Sequence, residues 1–428
     1  MSRLRFSVRL NPSKTEAGDM AGLGDVTFAP MDALSDGVGG IDITLEKPAE
    51  QLATGSYNYF AEGDLLLAKV TPCFENGKKA LIPKLPNRIG FATSEVHVIR
   101  PNAERIDPRY LRYLLSSATF IDAGNASMTG AGGLKRISDN SIKDFECPNL
   151  SLETQRRIAD YLDAETDRIR DLTHKKRRQI SLIHQKARQR AMVLAMGNAT
   201  FEYSPTTGRP TRIIGLPDHW RTRRAGLLFQ EVNEPNGDDQ PILSVSIHHG
   251  VSDRQLEDED KDRKTNLIED RTSYKRIRPG YLVYNMMRAW QGGIGVSTVD
   301  GAVSPAYVVA KPRTELHGSY YYHLLRTPLY VEQMRQGSKG IVDFRLRLYW
   351  EQFRQILLPI PSLQEQMDIA SQMVSILADA DKVASKVHAS LVKLKQYQTA
   401  LITTAVHGEL EVAGRAGSTS TDGLKVAL

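Results

Sequence analysis

Apolar residues along this chain fall into two patterns, and each pattern occurs twice. Short apolar blocks bounded by Gly or Pro predict buried strands: Gly63 to Val70, then Lys79-Ala80-Leu81-Ile82 ending at Pro83, then Val96-His97-Val98-Ile99 before Pro101. A second set comprises Pro241 to Ser246, Tyr281-Leu282-Val283-Tyr284 and Ala306 to Ala310. Each set precedes a helical spacing. Leu111, Leu114, Leu115 and Phe120 follow the cap-and-proline pair Asp107-Pro108, and Tyr321, Tyr322, Leu324 and Leu325 occupy the matching place later on. Beyond each lies a far longer helical stretch. The first starts at the cap-like Ser151-Leu152-Glu153-Thr154 and meets no Gly or Pro before Gly197; the second ends at Gly408. Its stripe in the first copy runs Leu162, Ile169, Leu172, Ile180, Ile183, Ala187 and Leu194, and in the second Ile376, Val383, Val387, Leu391, Leu394, Leu401 and Ala405.

These patterns are one internal duplication. Pro148 to Gly197 lies over Pro359 to Gly408 without a gap, about 211 residues apart, pairing Ser151-Leu152 with Ser362-Leu363, Gln155 with Gln366, and Ile158-Ala159 with Ile369-Ala370. Upstream, Gly90 and Pro101 fall on Gly301 and Pro312, and at a slightly longer offset Gly63 and Leu65 fall on Gly280 and Leu282. So long a period excludes a solenoid, whose repeats are 20–50 residues. The expected organisation is a mixed α/β globular unit (1–147), a long helix (148–197), a connector (198–225), a second globular unit (226–358), a second long helix (359–408) and a disordered tail (409–428). Leu172 aligns with Val383, Ile180 with Leu391 and Ile183 with Leu394, so both stripes share a heptad phase, as an antiparallel coiled coil requires. About 45 residues per helix gives roughly 65–70 Å. Lys176 and Arg190 align with Val387 and Leu401, which marks places where the seam splays or faces a partner.

Composition narrows the class only modestly. In 428 residues, 41% hydrophobic and 25% charged content is that of an ordinary soluble protein. No run is long enough to cross a bilayer, and Met1 to Ser7 lacks the apolar region of a secretory signal. Cys73 and Cys147 form neither a metal spacing nor a disulfide framework, and a cytoplasmic location is expected. The net charge of +6 is compatible with a polyanionic partner without demanding one. Its distribution is uneven: Arg168 to Arg190 holds nine Lys/Arg against one acid, Asp171, which fits either a solvated helix face or a polyanion contact.

The signatures of catalysis are missing. Gly77-Lys78-Lys79 lacks the hydroxyl and upstream glycine of a phosphate loop. Asn11-Pro12 and Asp107-Pro108 are followed by Ser13 and Arg109, not by the Pro-aromatic pair of amino-methyltransferases. The Gly-rich loops at 130–133 and 337–340 lack the preceding strand of a dinucleotide site. Glu259-Asp260-Lys261 matches half of a metal-nuclease signature but sits in the charge run Glu257 to Lys264, which reads as a solvated loop. His248-His249, followed by Gly250, has no partner at metal-ligand spacing. A non-catalytic binding subunit is expected, with no cofactor and no metal of its own.

Two pairs of loops are candidate binding surfaces. After the Gly63 strand come Lys69 to Lys79, and after the Gly280 strand Asn285 to Gly295; both offer amides, glycine-exposed backbone, an aromatic and cations. Such loops suit phosphates and base edges, Arg pairing with guanine and Asn or Gln with adenine. The Gly-rich loops add Lys135 and Arg136 in one copy and Lys339, Arg345 and Arg347 in the other; Arg347 could instead pack on Tyr349 and Trp350. The candidate DNA-binding residues are Lys69, Lys78, Lys79, Lys135 and Arg136 in the first unit and Arg288, Trp290, Gln291, Lys339 and Arg345 in the second. Ordinary hairpins remain the alternative reading of these loops.

In this order the motifs resemble the specificity subunit of type I restriction-modification systems, HsdS. The resemblance rests on the paired strands at Gly63-Asp64-Leu65-Leu66 and Gly280-Tyr281-Leu282-Val283, on Val303 to Val309, and on Ile360-Pro361-Ser362-Leu363-Gln364-Glu365-Gln366, of which Leu150 to Gln155 is a degraded copy with Thr154 in place of Glu. The family's Pro-Glu-Gly-Trp-like element occurs only as Pro217-Asp218-His219-Trp220. The resemblance implies two target-recognition domains, each reading half of a bipartite double-stranded DNA sequence, with the paired helices setting the spacer and docking two methyltransferase subunits. Restriction subunits can join the complex, and S-adenosylmethionine, ATP and Mg²⁺ belong to those partners. The competing reading is a coiled-coil scaffold whose globular ends bind proteins.

Overall fold

The computed structural model describes residues 1–18, 22–35, 40–130, 134–206, 208, 210–236, 240–247, 250–252, 273–340 and 346–410. His248-His249, Glu257 to Lys264, Arg345 and most of the expected tail lie outside them. The chain divides into two compact units, Met1–Lys176 with Ala389–Leu428, and Arg177–His388. Each therefore takes half of each long helix.

In the first unit, β1 (Val8–Leu10), β2 (Asp25–Ala29), β3 (Glu46–Pro48), β4 (Asn58–Ala61), β5 (Leu65–Ala68), β6 (Lys79–Leu81), β7 (Ile89–Ala92) and β8 (Val96–Pro101) form two four-stranded sheets. One is the antiparallel sheet β1-β8-β5-β6; the other, β3-β2-β7-β4, contains a parallel β2–β7 pair. The expected helix after Asp107-Pro108 is α1 (Pro108–Leu114), its Asp107 carboxylate accepting from the Arg109 and Tyr110 amides. Phe120 does not continue it. It belongs to α2 (Ala118–Ser127), which restarts on the Ser117 cap. The first long helix is α3 (Leu152–Met196), about 67 Å at 1.5 Å per residue.

In the second unit, β9 (Phe229–Val232), β10 (Leu282–Asn285), β11 (Ile294–Val296) and β12 (Tyr307–Pro312) repeat the first sheet's order as β9-β12-β10-β11. Helices α4 (Gly318–Leu325) and α5 (Pro328–Gly337) repeat the short pair, and α6 (Leu363–Val406) is the second long helix. The predicted connector is folded: Thr200–Tyr203 pairs with Pro210–Ile214, and Arg221–Arg224 pairs with Leu357–Ile360.

The duplication extends to single side chains. Buried Gln155 accepts the Asp107 amide at 2.8 Å and donates to the Leu150 carbonyl at 2.9 Å; buried Gln366 accepts the His317 amide at 2.9 Å and donates to the Pro361 carbonyl at 2.9 Å. Tyr110 donates to the Val406 carbonyl at the end of α6, and Tyr320 to the Ala195 carbonyl at the end of α3. Each globular core thus holds the start of one long helix beside the end of the other. Ile158, Ala159 and Leu162 meet Leu401, Ile402 and Ala405 in the first unit, and Ala191 and Ala195 meet Ala370 and Met373 in the second. This is the expected antiparallel pairing. Gly197 and Gly408, at φ 63° and 75°, end the helices in the left-handed conformation glycine adopts most easily.

The seam differs from expectation at one pair. Leu172 and Val383 are 40% and 47% exposed. The buried or half-buried stripe runs Ile169, Thr173, Lys176, Ile180, Ile183, Ala187, Ala191 on α3 and Met373, Leu377, Ala380, Ala384, Val387, Leu391, Leu394 on α6, in steps of three and four. Thr173 and Ala384 take the places assigned to the two larger neighbours. One residue of displacement turns a side chain about 100° around the helix axis.

The two helix starts also differ as the sequence differs. Ser362 and Glu365 form a reciprocal cap, Ser362 N donating to Glu365 at 2.8 Å and Glu365 N to Ser362 Oγ at 3.3 Å. Glu365 further accepts from Trp220 Nε1 at 3.0 Å and His219 Nε2 at 2.7 Å, so the Pro-Asp-His-Trp element docks on the start of α6. At α3, Thr154 supplies only its amide and hydroxyl to Ser151. The His219, Ser362 and Trp220 bonds hold the Glu365 carboxyl down at about 2. A carboxyl lower in the folded than in the unfolded chain contributes its full stability above about pH 4.5 and loses it as pH falls towards 2. Glu365→Gln is therefore expected to be less stable than wild type at pH 7 and to converge with it near pH 2. Denaturant unfolding across that range checks this, and a gap of constant size would rule it out.

Candidate nucleic-acid interface

The loop after the central strand and the Gly-rich loop, predicted separately, come together in both units. In the first, Val70 and Thr129 both bridge to Arg136, Ile137 N donates to the Lys69 carbonyl at 3.0 Å, and Thr71 N to the Lys135 carbonyl at 3.0 Å. In the second, Lys339 and Arg347 exchange two 2.9 Å bonds, and Leu348 N donates to the Met286 carbonyl at 2.8 Å. A single surface is built at matching places by residues about 65 apart in the chain.

The first unit's surface is largely self-neutralised. Exposed Arg136 makes two 2.8 Å bonds to Glu95, which lower the Glu95 pKa and raise that of Arg136. Half-buried Lys69 donates to the Ser94 carbonyl at 2.9 Å; burial pushes its pKa down, nearby Asp139 and Glu95 opposing. Lys78 lies 3.9 Å from Asp32 and donates to the Met31 carbonyl. Lys135 is exposed without a side-chain partner among the described residues. Phe74 anchors the loop, packing on Phe120 and so close over Gly124 that a Cβ there would lie 2.3 Å from its ring.

Lys79 is a correction. It is 1% exposed and its ammonium donates to Ser116 Oγ at 3.1 Å, so it faces the interior, where burial pushes its pKa down to about 7. A buried ammonium cannot reach a phosphate, and Lys79 is withdrawn from the site.

The second unit's surface is open. Arg288, Gln291 and Lys339 are exposed, with no side-chain hydrogen bond or ion pair among the described residues. The backbone beneath them is held firmly. Arg288 N donates to Asn285 O, the Arg288 carbonyl accepts from Gln291 N and Gly293 N, and Asn285 Oδ1 accepts from Met287 N. Trp290 is half-buried, its indole N–H on the Met287 carbonyl at 3.0 Å, which makes it a support for the loop. Arg347, bridged to Lys339, is exposed beside it. Arg345 lies outside the described residues.

Two exposed apolar residues escaped the sequence reading. Leu134 is 55% exposed beside Lys135, and Met287 is 44% exposed beside Arg288. Apolar groups placed among cations and amides suit a groove that presents thymine methyls as well as hydrogen-bonding edges. Their signal was position alone, next to the assigned cations. Among the described residues no group of three or more His, Cys, Asp or Glu could hold a metal, and no helix is long and apolar enough to cross a membrane.

No family model matches the chain. Its curated relatives are type I restriction enzyme specificity subunits. It is 36% identical over 137 residues to the EcoAI specificity subunit of Escherichia coli, 31% of this chain and 23% of that protein. It is 22% identical over 335 residues to the EcoBI specificity subunit of the same organism, 74% of this chain and 69% of that protein. The stronger match thus spans about a quarter of its relative's length. Among solved structures, a chain from work on the assembly and conformational transition of a type I R-M system matches with a TM-score of 0.66 at 19% identity, over 96% of this chain and 97% of that one. The fold is shared with that chain along nearly the whole length.

Proposed function

We propose that this chain is the DNA-sequence-reading subunit of a type I restriction-modification complex, each unit reading one half of a bipartite double-stranded target. The observation that carries this is the repeated joining of two loops into one exposed surface of cations and amides at the same place on two copies of one sheet. That residue set suits phosphates and base edges, and the curated relatives are specificity subunits. The two surfaces differ in sequence on a repeated frame, as two readers of different half-sites must.

In this reading the long helices set the spacer and dock methyltransferase subunits, two by the chain's own pseudo-symmetry. A 45-residue helix matches about 20 base pairs at ~3.4 Å each. Methyl transfer, with S-adenosylmethionine, and any restriction step, with ATP and Mg²⁺, fall to the partners. In this reading the chain contributes recognition and leaves the reacting groups to its partners.

Co-expression with the cognate methyltransferase, followed by genome-wide mapping of methyladenine, is expected to yield a split motif with a fixed gap that vanishes when this chain is omitted. An assembled, active complex that methylates no such motif would overturn the reading and favour a protein-binding scaffold.

A further inference from the structure

The stretch Arg177–Arg190 of α3 lies wholly in the second unit and holds five cations, Arg177, Arg178, Lys186, Arg188 and Arg190, without a single acid. All five are exposed, and none has an ion pair or side-chain hydrogen bond among the described residues. Two acid-paired arginines stand just before it: Arg170 bonds Asp167, and Arg168 lies 3.9 Å from Glu165. Past Arg177 an acid does approach the stretch, Asp381 on α6, but it lies 3.6 Å from His184 and pairs with none of the five cations. Arg188 is even a like-charged neighbour of Arg326, a half-buried guanidinium whose pKa is lowered first by burial and further by Arg188.

The internal repeat supplies a control. At the five equivalent positions α6 carries His388, Ala389, Tyr397, Thr399 and Leu401, and it forms the same uninterrupted helix in the same antiparallel pairing. Neither the helix nor its pairing needs this charge. Unpaired like charges at close spacing are self-repulsive, so five of them here, against only Lys393 and Lys395 in the equivalent stretch of α6, point to a partner that neutralises them.

We infer that Arg177–Arg190 is a phosphate-binding track for duplex DNA outside the two half-sites. This rests on the proposed function, which it extends from the reading loops to the helix. The track is about 20 Å long, the length of about six base pairs. The other exposed residues in it are Gln179, Ser181, Gln185 and Gln189, with Leu182 as the one exposed large apolar side chain. Hydroxyls and amides also bond phosphate oxygens, whereas a protein partner would call for an apolar centre.

The test combines Arg178→Ala and Arg188→Thr, the residues α6 tolerates, with Lys186→Gln, in the full chain assembled with its methyltransferase. Binding to duplexes with and without the target is measured from 50 to 300 mM salt. Each lost phosphate contact lowers the slope of log affinity against log salt by about 0.9, so the expected slope is shallower by about 2 to 3 on both duplexes, with the methylated sequence unchanged. An unchanged slope would overturn the inference. So would loss of the methyltransferase from the complex at unchanged slope, which would assign the cations to an acidic protein face. Binding to non-target duplex is read whether or not a target exists, so failure of the reading role and failure of the track give different results.

Discussion

Replacing Arg288 with alanine is expected to relax or abolish reading of one half-site and leave the other intact. Three features single this residue out. Its guanidinium is exposed and has no side-chain partner among the described residues, unlike Arg136, whose two bonds go to Glu95. Its backbone is fixed by bonds to Asn285, Gln291 and Gly293, and the loop by the Trp290 indole, so little ordering remains to be done on binding. A planar fork on a rigid turn matches the O6 and N7 acceptors of guanine, a pairing worth about 1–3 kcal/mol of discrimination, or about five- to 150-fold. Arg288→Lys separates the possible contacts. A lysine keeps the charge but not the fork, so a base contact is lost in both variants, while a phosphate contact survives in the lysine variant. Methylation of a set of duplexes varied at each half-site position gives the answer. Equal loss at both halves from Arg288→Ala would show that the units do not read independently.

Much of this architecture is legible in the chain because it is written twice. Gln155 and Gln366, Gly197 and Gly408, and the paired strand blocks each mark a place where both copies meet the same physical demand. Legibility fails where the deciding partner is remote and unrepeated. Lys78 and Lys79 are adjacent lysines after a glycine, and nothing local tells which one turns inward. The Ser116 hydroxyl that receives Lys79 is 37 residues away, and the second copy has Ile294 at the matching register of β11. The coiled-coil seam shows a second kind of failure. A stripe drawn through large apolar residues selects Leu172 and Val383, but the buried or half-buried positions include Thr173, Ala380, Ala384, Ala187 and Ala191, whose small side chains carry little hydrophobic signal. The joining of the loops was also hidden. Each is irregular, and it takes long-range backbone bonds such as those of the Val70–Arg136 bridge and from Leu348 N to the Met286 carbonyl to close them into one surface.

The largest stability effects are expected at the repeated glutamines. Gln155 and Gln366 are 4% and 2% exposed. Each carboxamide joins the first turn of a long helix to the backbone just before a short helix of its globular core, and Gln155 also donates to the Arg105 carbonyl at 3.1 Å. Leucine is near in volume but offers no polar atoms, so Gln366→Leu strands the His317 amide and removes a partner from the Pro361 carbonyl. Each buried group left unsatisfied costs about 1–3 kcal/mol, and two cost about 2–6 kcal/mol, a large part of the roughly 5–15 kcal/mol that holds a typical domain. Because the bonds lie within separate compact units, the losses should be separable. Gln155→Leu is expected to weaken hydrogen-exchange protection in β5 and β8, and Gln366→Leu in β10 and β12, each sparing the other unit. Native-state exchange with denaturant unfolding measures both. A cost below about 1 kcal/mol in either variant would mean that water or a neighbouring group takes over the bonds. Equal loss of protection in both units would mean that the long helices couple them into one cooperative fold.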